Sequence, residues 1–175
     1  MRLIFIYGPP ASGKLTIAEI LSEQIGVPLF HNHLSRDLVK DIYKDELSNH
    51  YDLVDTLRFS VFDYCAKNNT DLIFTYVYEG KNDDTNVRKF IEIIQSNGGE
   101  VVFVELTADR DDLINRVDNE SRKRFKKLSD PEIMTAITED MSKYTIPFVD
   151  ALKISTSHST PIESATHIAT HINRK

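Results

Sequence analysis

Hydrophobic residues recur along this chain in two alternating patterns. Short runs of consecutive apolar residues are typical of strands that are buried on both faces of a sheet. Five such runs lie at 3–7, 27–30, 71–78, 101–106 and 152–155. Stretches with helical spacing lie at 16–25, 34–47, 51–67, 84–96, 109–117, from 130 onward and at 160–173. Strands that alternate with helices predict an α/β fold, with a five-stranded, mainly parallel sheet and helices on both faces.

Two of the predicted helices have distinct sequence features. Apolar residues at positions 34, 38, 39 and 42 give the stretch 34–47 its helical spacing. Thr160 is followed by Pro161 and, three residues after the threonine, by Glu163. This is the pattern of a capping box with a proline in the first turn, so the last helix is predicted to begin there.

The composition is that of a globular protein. The chain has 175 residues, 41% hydrophobic and 27% charged, which is enough for one domain with its own core. Its net charge of −6 argues against broad binding to nucleic acids or membrane surfaces. The single cysteine, Cys65, excludes an intrachain disulfide and a zinc site of several cysteines. Because no apolar run has the length of a membrane helix or a secretory signal, we expect a cytoplasmic protein of one domain, 1–175, as a monomer or homodimer.

One loop carries the chemistry. It follows the first predicted strand, precedes the first predicted helix and reads G-x-x-x-x-G-K, the Walker A pattern. Its candidate nucleotide-binding residues are Gly8, Pro9, Pro10, Ala11, Ser12, Gly13, Lys14, Leu15 and Thr16. The two glycines permit backbone angles and a close approach that a side chain would block, so successive N–H groups can surround an anion. The next helix points its positive end at the same place, and Lys14 adds a cation for the outer phosphates.

The loop departs from the general pattern at one position. A serine or threonine usually follows the lysine and meets the magnesium ion, but here Leu15 follows it and Thr16 comes one residue later. In this respect the loop resembles nucleoside monophosphate kinases, above all adenylate kinase, which have G-x-P-G-x-G-K-G-T. There too the residue after the lysine lacks a hydroxyl, and Pro10 matches that family's proline. The resemblance implies ATP and Mg²⁺ as cofactors, with Thr16 as the candidate hydroxyl in a magnesium shell that contains more water.

More weakly, the whole chain resembles the wider group of small P-loop kinases, which includes shikimate kinase, gluconate kinase and chloramphenicol phosphotransferase. The resemblance implies a three-layer P-loop NTPase fold with strand order 2-3-1-4-5, acceptor-binding helices at about 32–69 and a lid at about 118–130. Only the phosphate loop is a specific match. The triple glycine of shikimate kinase and the Asp-Gly-Phe-Pro-Arg of adenylate kinase are missing, which disfavours shikimate and AMP as substrates.

The predicted lid is basic in a chain that is acidic as a whole. Five of the six residues at 122–127 are lysine or arginine. Phosphoryl transfer spreads negative charge over the transferred group, and cations that a closing lid delivers stabilise it. We assign this role to Arg122 and Arg124; the alternative is a solvated run of charges. By resemblance, Arg116 packs on adenine or touches phosphate, and the loop that begins at Ser157 holds adenine through its backbone.

The acceptor region opens with His31, Asn32 and His33, directly after the second predicted strand. The carboxyl ends of parallel strands face the ligand crevice, and shikimate and gluconate kinases carry aspartates near this place. A histidine can take a proton from the accepting hydroxyl near neutral pH, or hydrogen-bond the substrate. The candidate bases are therefore His31, His33 and Asp37. The alternative is that these are polar residues at a strand end without a catalytic role.

Three further residues belong to the predicted acceptor site. Arg58 lies on the helix before the third strand, where an arginine binds acceptor carboxylate or phosphate in several members of the resembling group. The alternative is a surface arginine. Tyr76 and Glu79 lie where the third strand ends. Because adenylate kinase has Asp-Gly at a similar strand end, Glu79 is a candidate to hold magnesium through water.

These residues predict an ATP-dependent phosphotransferase that moves the γ-phosphate of ATP to a small hydroxylated metabolite or drug-like acceptor. The predicted catalytic residues are Lys14, Arg122, Arg124, His31 and Asp37. Leu15 and the lack of a clear catalytic aspartate leave an alternative open, a nucleotide-binding module or slow NTPase without a small acceptor. A kinase of RNA ends that uses the basic run is disfavoured by the net charge.

Overall fold

The computed structural model describes residues 1–116 and 131–173 and contains a five-stranded sheet. The strands are β1 (Arg2–Tyr7), β2 (Leu29–His31), β3 (Leu72–Tyr76), β4 (Glu100–Thr107) and β5 (Ala151–Ser155). All neighbouring strands are parallel, in the order β2-β3-β1-β4-β5. The predicted sheet and its strand order are confirmed.

Helices connect the strands. They are α1 (Lys14–Ile25), α2 (Asn32–Tyr43), α3 (Tyr51–Lys67), α4 (Asp84–Ser96), α5 (Arg110–Asn115), α6 (Pro131–Ile137) and α7 (Pro161–Ile172). Short 3₁₀ turns cover Lys44–Asn49, Lys81–Asp83 and Met141–Tyr144. Among the described residues, no helix combines the length and the apolar character that a membrane span needs.

The sheet separates two hydrophobic layers, because side chains alternate between its faces along each strand. On one face Leu3, Phe5 and Tyr7 of β1 pack with residues of α3 and α4. On the other face Ile4 and Ile6 pack with α1 and α7. The first layer is aromatic at its centre, where the ring centroid of Phe5 lies 5.2–6.2 Å from those of the five aromatic residues Tyr7, Phe74, Tyr76, Phe90 and Phe103. Both faces are covered, as three layers require.

The last helix begins at the predicted capping box. The Thr160 hydroxyl accepts a hydrogen bond from the Glu163 backbone N–H at 3.2 Å, and the Glu163 carboxylate accepts one from the Thr160 N–H at 2.8 Å. Each bond satisfies a backbone donor that a helix start would otherwise leave open. This helix therefore begins where its sequence pattern indicates.

Helix α2 differs from its sequence pattern in extent and in orientation. It ends at Tyr43, because Lys44 takes a left-handed φ of 56° and a 3₁₀ turn follows. Three of the apolar residues that give it helical spacing, Leu34, Leu38 and Ile42, are 49%, 51% and 59% exposed. Its buried residues are instead Asn32, Ser35 and Val39. The inner face of α2 is largely polar because it contacts a buried arginine of α3, described below.

Candidate functional site

The phosphate loop connects β1 to α1 through a backbone that needs glycine at two positions. Gly8 has a φ of +144°, and a Cβ atom there would lie 2.2 Å from the Leu106 carbonyl oxygen. Gly13 has a φ of +84° and is the N-cap residue of α1. Ala11, between them, also has a positive φ, 65°. The loop therefore lies tightly against β4 in a conformation that most side chains exclude.

Lys14 lies over this loop at the first position of α1. Its ammonium donates hydrogen bonds to the carbonyl oxygens of Gly8 at 2.8 Å and Pro9 at 2.6 Å, and to the Ser12 hydroxyl at 3.4 Å. Ser12 is fully buried beneath the loop. The positive end of α1 and the lysine thus meet at one place, which suits the phosphates of a nucleotide.

A cavity of about 1060 Å³ adjoins the loop. Thirteen of the residues singled out from the sequence line it, namely Pro10, Ala11, Gly13, Lys14, Leu15, Thr16, Asn32, His33, Asp37, Arg58, Tyr76, Glu79 and Arg116. Five do not, namely Gly8, Pro9, Ser12, His31 and Ser157. The cavity therefore joins the phosphate loop to the region after β2. Arg122 and Arg124 lie outside the described residues, as does the predicted lid.

Arg116 is fixed on the side of the cavity near β5. Its guanidinium donates to the hydroxyl and to the carbonyl oxygen of Thr156, both at 2.9 Å. Ser157, the next residue, faces elsewhere, and its hydroxyl accepts a hydrogen bond from the Asp109 N–H at 2.8 Å. Thr156 and Ser159 line the cavity in its place. The side chains that this loop brings to the cavity are therefore those of Thr156 and Ser159, not that of Ser157.

Of the two histidines at the end of β2 and the start of α2, only His33 lines the cavity. His31 is the last residue of β2, its Nδ1 atom is buried, and its ring centroid lies 6.1 Å from that of His33. Asp37, one helical turn beyond His33, also lines the cavity. Two of the three candidate bases therefore share the cavity face of α2.

Arg58 is neither a surface arginine nor free to move towards a ligand. It is 3% exposed, and it donates to the Ser35 hydroxyl at 3.2 Å, to the Asp55 carboxylate at 2.8 Å and to the Asn32 side-chain carbonyl. Its guanidinium also lies 5.5 Å from the ring centroid of Tyr76. Burial lowers the pKa of Arg58, which the nearby Asp55 charge opposes. This network joins α2, α3 and β3 into one wall of the cavity.

Asp55 extends that wall to α4. Its second carboxylate oxygen accepts a hydrogen bond from the Asn86 amide at 2.7 Å. Burial raises the pKa of Asp55, while Arg58 and the hydrogen bonds act in the opposite direction. A buried charge that is paired and hydrogen-bonded in this way fixes the positions of its partners.

Tyr76 and Glu79, at the end of β3, meet at Asp83. The Tyr76 hydroxyl donates to one carboxylate oxygen of Asp83 at 2.8 Å, and the Glu79 N–H donates to the other at 2.6 Å. Burial, together with the charge of Asp83, raises the pKa of Tyr76. The Glu79 side chain is exposed to the cavity. Asp83 therefore orders the turn that presents Glu79.

The donor set fits a magnesium ion held mainly by phosphates and water. The Thr16 side chain is exposed at the cavity, and Glu79 supplies a carboxylate that lines the same cavity. Within 1–116 and 131–173, no group of three or more His, Cys, Asp or Glu could hold a metal by itself. Magnesium at phosphoryl-transfer sites needs no such cage, since it keeps several waters and binds one or two protein groups.

Several solved structures share this architecture along nearly their full length. A Chloroflexus aurantiacus protein that was assigned as a kinase has a TM-score of 0.74 at 16% identity, covering 97% of each chain. A sugar kinase from Janibacter sp. has a TM-score of 0.66 at 15% identity, covering 99% of this chain and 95% of its own. The APS kinase of Mycobacterium tuberculosis has a TM-score of 0.61 at 11% identity, covering 98% and 97%. The chain therefore has the three-layer P-loop NTPase fold that these proteins share. No protein-family model and no curated protein matches it.

Within this fold, the sequence reasoning missed several polar residues of the acceptor side. They are Arg36, Lys40, Tyr51, Asp55, Asn82, Asp83 and Asn86, all of which line the cavity. One signal was available for two of them. Arg36 and Lys40 follow His33 at helical spacing, on the side of α2 away from Leu34, Leu38 and Ile42.

Proposed function

We propose that this chain is an ATP-dependent phosphotransferase that acts on a small hydroxylated acceptor. The observation that carries the proposal is the cavity that joins the phosphate loop to a polar wall after β2. Its volume, about 1060 Å³, lies at the upper end of ligand pockets and suits two ligands better than one. The similar APS kinase is described in complex with both AMPPNP and APS, which supports a two-ligand site in this fold.

The nucleotide would lie with its outer phosphates in the phosphate loop. The backbone N–H groups between Gly8 and Gly13 would bind them, and Lys14 would exchange its loop carbonyls for phosphate oxygens. Arg116, anchored by Thr156, would contact the adenine or a phosphate. Arg122 and Arg124 remain the predicted cations of a lid.

Magnesium would be held by the phosphates, by the Thr16 hydroxyl and, through water, by Glu79. When bound, the ion neutralises charge on the β- and γ-phosphates. The residues of the chain hold the two ligands in line and keep water away from them, which accounts for most of the rate in phosphoryl transfer.

The acceptor hydroxyl would lie beside the cavity face of α2. Its oxygen forms a bond to the γ-phosphorus as the bond from that phosphorus to the bridging oxygen breaks, and ADP leaves. His33 or Asp37 would take the proton of the hydroxyl, because both line the cavity. His31, which does not line it, would support His33 from behind.

A nucleotide-binding module or slow NTPase is the second candidate. Leu15 stands where a magnesium-binding hydroxyl usually lies, and no acidic residue follows β3 until Glu79. Such a protein would bind ATP in the same loop and transfer its phosphate to water or not at all.

Calorimetric titration with Mg·ATP, followed by turnover assays with hydroxylated metabolites, nucleosides and antibiotics, separates these functions. A phosphotransferase binds ATP through Lys14 and turns it over faster with one class of acceptor. The Lys14→Ala variant should lose binding and stimulation together. Tight ATP binding that no acceptor stimulates favours the module. Absence of ATP binding contradicts both.

A further inference from the structure

The cavity face of α2 carries two cations on adjacent turns. Arg36 and Lys40 both line the cavity, and both are partly buried. They stand four residues apart, which places their side chains next to each other on one face of the helix. Like charges at this spacing repel and destabilise a helix slightly. Their placement is unfavourable unless an anion lies between them.

The described residues do not supply that anion. Among the side chains that the structure describes, which exclude that of Asp45, neither cation forms an ion pair with a carboxylate. Asp37 and Glu79 line the cavity too but pair with neither. Two other carboxylates of the wall, Asp55 and Asp83, accept hydrogen bonds from other groups. The positive charge at this part of α2 therefore faces the cavity.

The first of the two cations is held in place. Arg36 donates a hydrogen bond to the Tyr51 hydroxyl at 3.2 Å, and its guanidinium carbon lies 5.9 Å from the centroid of that ring. Tyr51 is a neutral partner, so it orients the guanidinium without compensating its charge. A guanidinium fixed in this way loses less conformational freedom when it binds a carboxylate or phosphate.

A third cation lies behind the pair. Arg58 is buried in the same wall, and among the side chains that the structure describes its carboxylate partner is Asp55. Burial is the main cause of its lowered pKa, and the charge of Arg36 acts in the same direction. Where α2 and α3 face the cavity, three cations thus lie beside the two carboxylates of Asp37 and Asp55.

We propose that Arg36 and Lys40 bind an anionic group of the acceptor, a carboxylate or a phosphate. This rests on the proposed function, since it names the class of its substrate. At about 1.5 Å of rise per residue, Lys40 lies about 10 Å along α2 from His33, and Arg36 about half as far. The acceptor would therefore be a hydroxylated metabolite whose anionic group lies roughly 5–10 Å from the hydroxyl that is phosphorylated.

Small anions test this directly without a known acceptor. In a Lys14→Ala background, which removes the phosphate-loop cation, thermal unfolding is followed while inorganic phosphate or acetate replaces chloride at constant ionic strength. Anion binding to the folded state stabilises it by RT ln(1 + [anion]/Kd), so a fit of the unfolding temperature against anion concentration gives the half-saturating concentration. Adding Arg36→Gln and Lys40→Gln should raise the half-saturating anion concentration at least ~10-fold, because two charged hydrogen-bond donors are lost.

Two variants control for structural effects. Arg36→Lys keeps the charge and should keep most of the affinity, while Lys89→Gln removes an exposed lysine of α4 and should change nothing. A greater effect with phosphate or with acetate identifies the preferred group. Equal half-saturating concentrations with and without the two cations, for both anions, overturn the proposal.

Failure of this inference is separable from failure of the proposed function. Mg·ATP binding is measured on the protein with Lys14 intact, and turnover is compared between matched acceptors such as glycerol and glycerol phosphate, or nucleosides and their monophosphates. If ATP does not bind but the anion effect depends on Arg36 and Lys40, the phosphotransferase proposal fails and the anion site stands. If ATP turnover with neutral acceptors is as fast as with the matched anionic compounds, this inference alone is wrong.

Discussion

The two sides of the cavity are built from different parts of the chain. The phosphate side is made by backbone, since Gly8 and Gly13 shape the loop and Lys14 is the principal charged side chain. The acceptor side is made by side chains, with Arg58 linking residues of α2, α3 and β3. A backbone site needs glycine at fixed spacing and leaves a pattern in the sequence. A network of side chains from separate elements leaves none.

The largest expected effect on stability comes from a substitution that disturbs the backbone of the phosphate loop. Gly8→Ala places a methyl group against the Leu106 carbonyl, so the loop and β4 must move apart. We expect a loss of more than about 3 kcal/mol in the free energy of unfolding, because backbone overlap adds to the conformational strain. Gly13→Ala is the matched comparison. Its nearest contact would be 3.6 Å away, so only the positive φ opposes it, at about 1–2 kcal/mol. Equal losses in urea denaturation contradict this account.

Removing the central arginine of the acceptor side should have the next largest effect on stability. Arg58→Met leaves the Asp55 carboxylate partly buried without its cation, which costs about 3–5 kcal/mol for a buried ion pair. Arg88→Met, which removes an exposed arginine lying 3.8 Å from the Phe148 ring centroid, should cost about 1 kcal/mol or less. Denaturant titration of both variants measures the difference. Similar stabilities would mean that Arg58 does not hold the wall together.

The hydrogen bond between Tyr76 and Asp83 gives the acceptor wall a dependence on alkaline pH. Burial and the Asp83 charge raise the pKa of Tyr76, so the folded state holds this proton more tightly than the unfolded chain. The contribution of this tyrosine proton to the free energy of unfolding is complete below pH 10, the usual pKa of tyrosine. It declines as the pH rises above that value. Tyr76→Phe should lose about 1–2 kcal/mol at neutral pH and show a shallower alkaline decline. An unchanged slope contradicts the assignment.

The smallest effect is expected on the outer face of α2. Leu38 is 51% exposed, so Leu38→Gln should change stability by no more than about 0.5 kcal/mol. Val39, the next residue, is fully buried, and Val39→Ala should cost at least about 1 kcal/mol. Thermal unfolding of the two variants compares the faces directly. A larger loss at Leu38 would mean that this face is covered in solution.

These differences explain what could be predicted from sequence. The strands of the sheet and the phosphate loop follow from buried apolar runs and from glycine spacing, both of which are local, whereas the strand order was implied by the resemblance to small P-loop kinases. The inner face of α2 could not be predicted in this way, because a helical pattern places its apolar residues inward. Asn32 and Ser35 face inward instead, since Arg58 needs oxygen acceptors.

Neighbouring residues presented a second difficulty. His31 and His33 differ by two positions at a junction between strand and helix, where the direction of a side chain depends on the residue at which the helix begins. In the loop after β5, the side chains of Thr156 and Ser159 line the cavity and that of Ser157 does not, while the adenine contact through this loop's backbone stays a prediction. Which of several nearby polar residues faces a cavity is set by packing across the fold rather than by local pattern.

Analysis of reaction products by mass spectrometry tests the central claim most directly. The protein is incubated with Mg·ATP and with neutral and anionic hydroxylated compounds, with Lys14→Ala and Asp37→Asn variants in parallel. We predict a phosphorylated acceptor formed in equal amount to ADP, absent with Lys14→Ala. ADP accompanied only by inorganic phosphate, at the same rate with every compound, would contradict a cavity that holds nucleotide and acceptor together.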